Sequence, residues 1–165
     1  MWYAILGAVL LAGDQILKYW VVTHLAVGES APFLPGFMQL TRLHNYGAAW
    51  SSFSGRTVLL VVFTAVLLAV VALLLLKKVV RHWTGVTACT LILSGGIGNI
   101  IDRIVHGYVE DMFDLQLFSY PVFNLADCCV VVGAILGGIY YLFLYDKYDK
   151  KKKEPDHAHD PSDPS

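Results

Sequence analysis

The chain has 165 residues, of which 56% are hydrophobic and only 15% are charged, and its mean hydropathy is +0.58. Soluble globular domains contain about 45–50% apolar and about 25% charged residues, so this composition excludes an ordinary water-soluble enzyme. The formal net charge of −1 argues against a general attraction to nucleic acid. The length allows one domain. We therefore expect an integral membrane protein.

Four segments are long and apolar enough to be transmembrane helices, which need about 20 residues each. The second contains no charged residue, whereas the first is interrupted by Asp14, Gln15 and Lys18. The first segment has neither a positively charged start nor an Ala-x-Ala cleavage site, so we expect it to be retained rather than removed as a signal peptide. The four predicted spans are residues 3–22, 57–76, 83–101 and 128–145.

The distribution of Lys and Arg predicts the orientation of these spans, because short cytoplasmic loops are enriched in both. The link between the second and third spans carries Lys77, Lys78 and Arg81, and the C-terminal tail adds five Lys. We therefore expect both termini in the cytoplasm, with the longer loops 23–56 and 103–127 on the outer side.

The outer loops contain the only signals for strands. Residues 37–43 alternate apolar and polar side chains, which is typical of a strand on a surface, and residues 112–120 also fit an extended segment. The predicted fold is an all-α integral membrane protein of four transmembrane helices, with a small β-containing outer-face subdomain from the first outer loop. Residues 1–146 form the membrane domain, and the polar residues 147–165 are expected to be a disordered cytoplasmic tail.

Polar residues inside the spans converge on one level of the predicted bundle. A charged residue in a span costs roughly 2.5–3.5 kcal/mol on insertion scales, so such residues are candidates for function. Because the spans alternate in direction, almost all of these residues fall near the outer surface, and the cytoplasmic halves have little comparable. The set comprises Asp14, Gln15, Lys18, Asn45, Asn99, Asp102, Arg103, Glu110, Asp111, Asp114, Asn124 and Asp127.

Several of these residues also have a purely structural explanation. Asp14 and Lys18 are four residues apart and can form an ion pair on one helix face. Asn124 and Asp127 have the spacing of a helix N-cap and its reciprocal partner. The small residues 94–98 can be a helix-packing face.

Two of the carboxylates suggest a chemistry. Asp111 and Asp127 flank one outer loop, and like charges held within a few ångströms retain one proton near neutral pH. The ionised partner can take a proton from water while the protonated one donates to a carbonyl oxygen, as in aspartic proteases. This chemistry needs neither a metal nor a nucleophilic side chain. Glu110 and Asp114 are competing acids that spacing alone does not exclude.

Five stretches of the chain together resemble the bacterial lipoprotein signal peptidases, also called signal peptidase II. Each stretch is a weak signal alone, but their order and the four spans match that family over nearly all of the chain except the tail. The stretches are residues 14–18, 45–51, 95–103, 107–111 and 123–127.

The resemblance implies a membrane-embedded aspartic endopeptidase with Asp111 and Asp127 as its catalytic pair. The family's substrate is a prolipoprotein whose lipobox Cys already carries diacylglycerol, and cleavage occurs just before that Cys. By the same resemblance, Asn45, Asn99, Arg103 and Asn124 line or orient the site, and Asp14, Gln15, Lys18 and Asp102 support it.

Further expectations follow from the resemblance. We expect no cofactor and no metal, a monomer whose partners are prolipoprotein signal peptides and membrane lipids, and a position in the bacterial cytoplasmic (inner) membrane with the site near its outer surface. Two residues depart from the family pattern, because Met112 follows the first aspartate where Phe is usual and Cys128 follows the second where Ser is common.

Three alternatives compete with this interpretation. A Ser–Lys peptidase would use Ser51 or Ser94 activated by Lys18. A small proton- or ion-coupled carrier would use the intramembrane Asp residues as a relay, which should then continue to the other side. A structural membrane subunit would leave the aligned acids unexplained.

Overall fold

The computed structural model describes residues 2–47 and 55–150. Within these residues, four helices are long and apolar enough to cross a membrane, as predicted, and three strands accompany them. The elements are α1 Trp2–His24, β1 Ser30–Leu34, β2 Met38–Asn45, α2 Thr57–Leu76, α3 Trp83–His106, β3 Val109–Leu115 and α4 Leu125–Tyr148, which has a π-helical stretch over Tyr140–Leu144.

Three helices extend beyond the predicted spans, and the extensions of α3 and α4 carry site residues. Helix α3 continues past residue 101 and ends at His106, where Gly107 adopts a positive φ of 83° that caps the helix and directs the chain into β3. Asp102 and Arg103 do not end the helix, because neighbouring elements supply their partners. Helix α4 begins at Leu125 rather than at residue 128.

The folded part also extends further at the C-terminus than the predicted boundary at residue 146. Helix α4 continues to Tyr148, and the side chain of Asp149 is buried. Its carboxylate accepts hydrogen bonds from the backbone N–H groups of Arg81 and His82 at 3.0 and 2.9 Å, and from the Tyr140 hydroxyl. These bonds fasten the end of α4 to the link between α2 and α3. Residues 151–165 of the predicted tail lie outside the described residues.

Helix α3 is the centre of the bundle. Half of its most apolar window is buried, against 11–17% for the other three helices, and it packs against α1, α2 and α4. The other helices expose most of their apolar side chains outward, as lipid-facing helices do.

The three strands form one antiparallel sheet in the order β1-β2-β3. The fold prediction placed the β-containing subdomain in the loop between α1 and α2. The structure has β1 and β2 there, and β3 lies in the loop between α3 and α4, where residues 112–120 were expected to be extended. Met112 of β3 packs with Val21 and Leu25 at the end of α1, so an apolar core joins the sheet to the helices. We call this end of the bundle the sheet end.

Close packing of α3 against α4 depends on Gly95. A Cβ atom at this position would collide with the backbone carbonyl oxygen of Ala126 and lie 3.0 Å from Cγ2 of Val130. A backbone atom cannot move aside as a side-chain tip can. By contrast, a Cβ atom at Gly138 on α4 would meet no atom of the described residues within 4 Å.

We therefore expect Gly95→Ala to destabilise the fold by about 1–3 kcal/mol, the usual range for overpacking. Gly138→Ala is the matched control and should leave the melting temperature unchanged or slightly raised. Thermal unfolding in detergent measures both. Equal melting temperatures for the two variants would show that α3 and α4 do not depend on this close contact.

Candidate active site

The N-terminus of α4 is closed by a reciprocal pair of hydrogen bonds. Asn124 has an extended backbone, and its side-chain Oδ1 accepts from the backbone N–H of Asp127 at 2.9 Å. The carboxylate Oδ2 of Asp127 accepts from the backbone N–H of Asn124 at 3.2 Å. The pair satisfies two of the N–H groups that every helix leaves free at its start. The structural interpretation of this pair therefore matches the observed geometry.

The same asparagine also contacts the second carboxylate. Its Nδ2 donates to Oδ1 of Asp111 at 2.7 Å, while Nδ2 of Asn45 donates to Oδ2 of Asp111 at 2.9 Å. Each amide has its own oxygen engaged by a backbone N–H, that of Asp127 for Asn124 and that of Gly47 for Asn45. Since only an amide oxygen can accept, both amino groups must face Asp111.

Asn99 forms the equivalent link to Asp127. Its Nδ2 donates to Oδ1 of Asp127 at 2.8 Å. Its Oδ1 accepts from Asn124 and from the Lys18 ammonium, both at 3.2 Å, and a lysine can only donate. Asp111 and Asp127 are therefore connected through two asparagines with fixed amide orientations.

A buried lysine balances charge beneath this site. The ammonium of Lys18 lies 2.8 Å from a carboxylate oxygen of Asp14 and 2.8 Å from one of Asp102, and its side chain is 5% exposed. Gln15 donates to the same two carboxylates at 3.2 and 3.1 Å. Together with Asn99, the two carboxylates satisfy all three donors of the ammonium, so the cost of burying its charge is offset.

Two further contacts hold the surrounding elements. Asp14 accepts from the backbone N–H of Ala126 at 2.9 Å and so ties α1 to the first turn of α4. Arg103 donates to the carbonyl oxygens of Gly47 at 2.8 Å and Asn99 at 3.3 Å, which holds the turn that follows Asn45. The structure thus brings together all ten residues that the sequence named for the site.

The environment of Asp111 raises its pKa from 3.8 to about 7. Burial is the largest cause, and the negative charge of Asp127 adds to it. The hydrogen bonds from Asn45 and Asn124 and the charge of Lys18 act in the opposite direction, because they favour the ionised form.

The two competing acids are engaged elsewhere. Glu110 lies 3.2 Å from the Arg42 guanidinium and 2.9 Å from Nε2 of His44. Asp114 accepts from Nε2 of Gln39 at 2.7 Å. Arg42 and His44 were not among the predicted site residues. Strand pairing identifies His44, which lies opposite Glu110, whereas Arg42 falls within the register shift and is not identified by pairing.

The Ser–Lys alternative gains no support from the described contacts. The Ser94 hydroxyl donates to the carbonyl oxygen of Thr90 on its own helix at 2.8 Å, and Lys18 is held by two carboxylates. Ser51 lies outside the described residues.

Comparisons with known proteins agree with this architecture. The family model described as signal peptidase (SPase) II matches residues 6–143. The chain is 39% identical over 151 residues to the lipoprotein signal peptidase of Enterococcus faecalis, covering 92% of this chain and 93% of that protein. It is also 39% identical over 140 residues to that of Lactococcus lactis subsp. lactis, covering 85% and 91% of the two chains.

A solved structure has the same fold. It is described as a bacterial membrane enzyme determined by the in meso method at 2.3 Å resolution, and it superposes with a TM-score of 0.80 at 30% identity, over 92% of this chain and 93% of that one. The fold and the polar site define a multi-pass membrane hydrolase of the aspartic peptidase class. The chain belongs to the signal peptidase II family. These comparisons do not favour the carrier alternative.

The raised pKa of Asp111 predicts how stability depends on pH. The folded state holds this proton with a pKa of about 7, against 3.8 for an ordinary Asp, so the contribution to stability is complete below about pH 4 and is lost as the pH rises through 7. Above pH 7 the carboxylate is ionised while buried, and the free energy of unfolding no longer gains from the bound proton. Asp111→Asn removes this proton equilibrium.

We expect the melting temperature of the wild type, relative to that of Asp111→Asn, to fall between about pH 4 and about pH 8. Thermal unfolding of both proteins at each pH gives the difference directly and cancels the contribution of titrating groups that do not interact with Asp111. A difference that is constant with pH would contradict a raised pKa at Asp111.

Proposed function

We propose that this chain is a membrane-embedded aspartic endopeptidase that removes signal peptides from diacylglyceryl-modified prolipoproteins. The observation that carries the proposal is the position of Asn124, whose side chain and backbone contact both Asp111 and Asp127. Two carboxylates held by one residue are close enough to couple, as the effect of Asp127 on the pKa of Asp111 reflects. The relatives named lipoprotein signal peptidase support the substrate class.

In the proposed mechanism the pair holds one proton. The ionised carboxylate takes a proton from a water molecule, whose oxygen attacks the carbonyl carbon of the scissile peptide bond. The protonated carboxyl donates to the carbonyl oxygen, which gives a neutral tetrahedral gem-diol. When the C–N bond breaks, the carboxyl that took the proton from water gives it to the leaving nitrogen, and the other carboxylate takes a hydroxyl proton from the gem-diol. A new carboxyl group and a free amine form, and each aspartate is back in its starting protonation state.

The two aspartates have different supports in this proposal. Asp111 belongs to β3 and is held by Asn45 and Asn124, whereas Asp127 belongs to the first turn of α4 and is held by Asn99 and Asn124. Donors on both oxygens of each carboxylate restrict rotation of the side chain. Such restriction is what a general acid and base need in order to meet the same peptide bond.

The proposed orientation places the sheet end on the outer side of the cytoplasmic membrane and both termini in the cytoplasm. Lys77, Lys78 and Arg81 follow the end of α2 remote from the sheet, and Lys147 and Lys150 lie at the end of α4. At the sheet end, the guanidinium groups of Arg42 and Arg103 are engaged inside the protein.

The depth of the site suits a lipid-anchored substrate. Asp111 and Asp127 lie where the helices meet the sheet, close to the expected membrane surface. A diacylglyceryl group on a Cys holds the adjacent peptide bond at this depth while its acyl chains stay among the lipids. Cleavage just before the lipidated Cys therefore requires no transfer of acyl chains into water.

We expect Asp111→Asn and Asp127→Asn each to lower kcat/KM by about 10³-fold or more, since general acid–base catalysis contributes about 10²–10⁴-fold. The measurement is cleavage of a purified diacylglyceryl-modified prolipoprotein by purified enzyme, with the unmodified precursor as a second substrate. We expect little cleavage of the unmodified precursor.

The matched control is Asp114→Asn, on the same strand as Asp111 but bonded to Gln39 and Thr41. This variant should cleave at close to the wild-type rate. Full activity in either Asp111→Asn or Asp127→Asn would remove that residue from the mechanism, and wild-type protein that cannot cleave the lipidated precursor would refute the proposed function.

A further inference from the structure

Glu110 is a buried acid that takes no part in the proposed mechanism. It directly precedes Asp111 on β3, and successive residues of a strand point to opposite faces. Asp111 faces the asparagines of the site, whereas the Glu110 side chain, only 4% exposed, contacts Arg42 and His44 of β2. Burying a carboxylate is costly unless an opposite charge or hydrogen bonds compensate for the lost water. The question is what this buried pair does for the protein.

Glu110 contacts Arg42 at two points and His44 at one. Its two oxygens lie 3.2 and 3.4 Å from Nη2 and Nε of Arg42, a two-point contact that fixes direction as well as charge. Nε2 of His44 lies 2.9 Å from Oε1, and the His44 ring stacks on Tyr108 at 3.8 Å between centroids. Arg42, His44 and Tyr108 are the charged and titratable groups that face Glu110.

Arg42 also bonds to the end of α1 and so links Glu110 to that helix. Its Nη1 donates to the carbonyl oxygens of Val22 at 3.2 Å and Leu25 at 3.0 Å, where α1 ends. The last carbonyls of a helix lack partners and carry partial negative charge, so a guanidinium stabilises them. Glu110 and Arg42 thus form a directional connection between β3 and the end of α1.

Helix α1 also positions the other carboxylate. Asp14 accepts from the backbone N–H of Ala126, next to Asp127 on α4. The first turn of α4, which carries Asp127, is therefore tied to α1 by this contact, and β3, which carries Asp111, is tied to the end of α1 through Arg42. The apolar packing of Met112 against Val21 holds the sheet near α1, but such packing is non-directional.

The backbone pairing of β2 with β3 is irregular close to Asp111, so side-chain contacts such as that of Glu110 with Arg42 help to fix the position of β3. Pairing of β2 with β3 shifts register between Leu40 and Leu43, so the regular ladder is interrupted where Arg42 lies. Register shifts of this kind re-aim neighbouring side chains. Beyond the shift, Leu43 pairs with Asp111 and His44 with Glu110, so the Glu110 contacts fix the alignment that brings Asn45 to Asp111.

We propose that Glu110, held by Arg42 and His44, is a positioning residue that sets the placement of Asp111 relative to Asp127. This proposal rests on the proposed function. Glu110 does not contact the reacting atoms. It acts through β3, and its removal loosens the two carboxylates without removing either.

The test is steady-state cleavage of the diacylglyceryl-modified prolipoprotein by Glu110→Gln, with Asp114→Asn as the control on the same strand. We expect kcat to fall about 10–100-fold with KM within about twofold, because orientation is lost and not substrate binding. We also expect the alkaline limb of the pH–rate profile to move to lower pH, since more distant carboxylates repel less. The control should match the wild type in all three.

A double-mutant cycle with Arg42→Gln tests the connection itself. If Glu110 acts through Arg42, the double variant loses no more kcat than the worse single variant, whereas independent roles would multiply the losses. Arg42→Lys keeps the positive charge, but a lysine cannot bond to Glu110 and to both carbonyl oxygens at once. We expect this variant to fold normally and to have a lower kcat. It therefore tests the proposal even if Glu110→Gln does not fold.

A lower melting temperature with unchanged kcat and unchanged pH profile would show that Glu110 only stabilises the fold, and would overturn the proposal. A rise in KM at constant kcat would overturn it as well. These outcomes differ from failure of the proposed function, in which the wild type itself does not cleave the lipidated precursor.

Discussion

Asn124 is the residue on which the geometry of the site depends. Its Oδ1 and backbone N–H close the first turn of α4 with Asp127, and its Nδ2 donates to Asp111. A helix cap is normally a local device worth about 1 kcal/mol. Here Asn124 also bonds to Asp111, which lies on β3 thirteen residues earlier in the chain. The residue that caps α4 therefore also holds the two carboxylates of the site together. The structural and the functional interpretations of this pair do not compete.

Charge balance explains why so many acids can gather at this depth. Lys18 neutralises Asp14 and Asp102 only in part, and Gln15 and the asparagines supply neutral donors to the remaining oxygens. Neutral amides stabilise carboxylates without adding a full positive charge. A second lysine in their place would lower the pKa of Asp111 and make a shared proton harder to keep. Helix α1 carries the balancing charge and also contacts both the sheet and α4.

Much of this organisation could be predicted from the sequence. Long apolar runs revealed the four helices, and their alternating direction placed the polar residues at one level. The spacing of Asn124 and Asp127 revealed the cap. These features depend on short-range pattern and on membrane thickness. The pairing of β3 with β2 was not predicted, because it joins segments about 70 residues apart. The side of the strand that Glu110 faces, and hence its pairing with Arg42, follows from that register and not from composition.

The fold of residues 147–149 was missed because Asp149 is stabilised by backbone groups at 81 and 82, which no local pattern reveals.

We propose that the two coupled carboxyl groups of Asp111 and Asp127 hold one proton between them. Infrared spectroscopy of protein labelled with ¹³C at aspartate carboxyls measures this directly, because the protonated form has its own carbonyl band. We expect one protonated aspartate just below neutral pH that titrates with a pKa of about 7, and a lower midpoint in Asp127→Asn, where the neighbouring charge is absent. No protonated aspartate at that pH, or a midpoint that Asp127→Asn does not change, would contradict it.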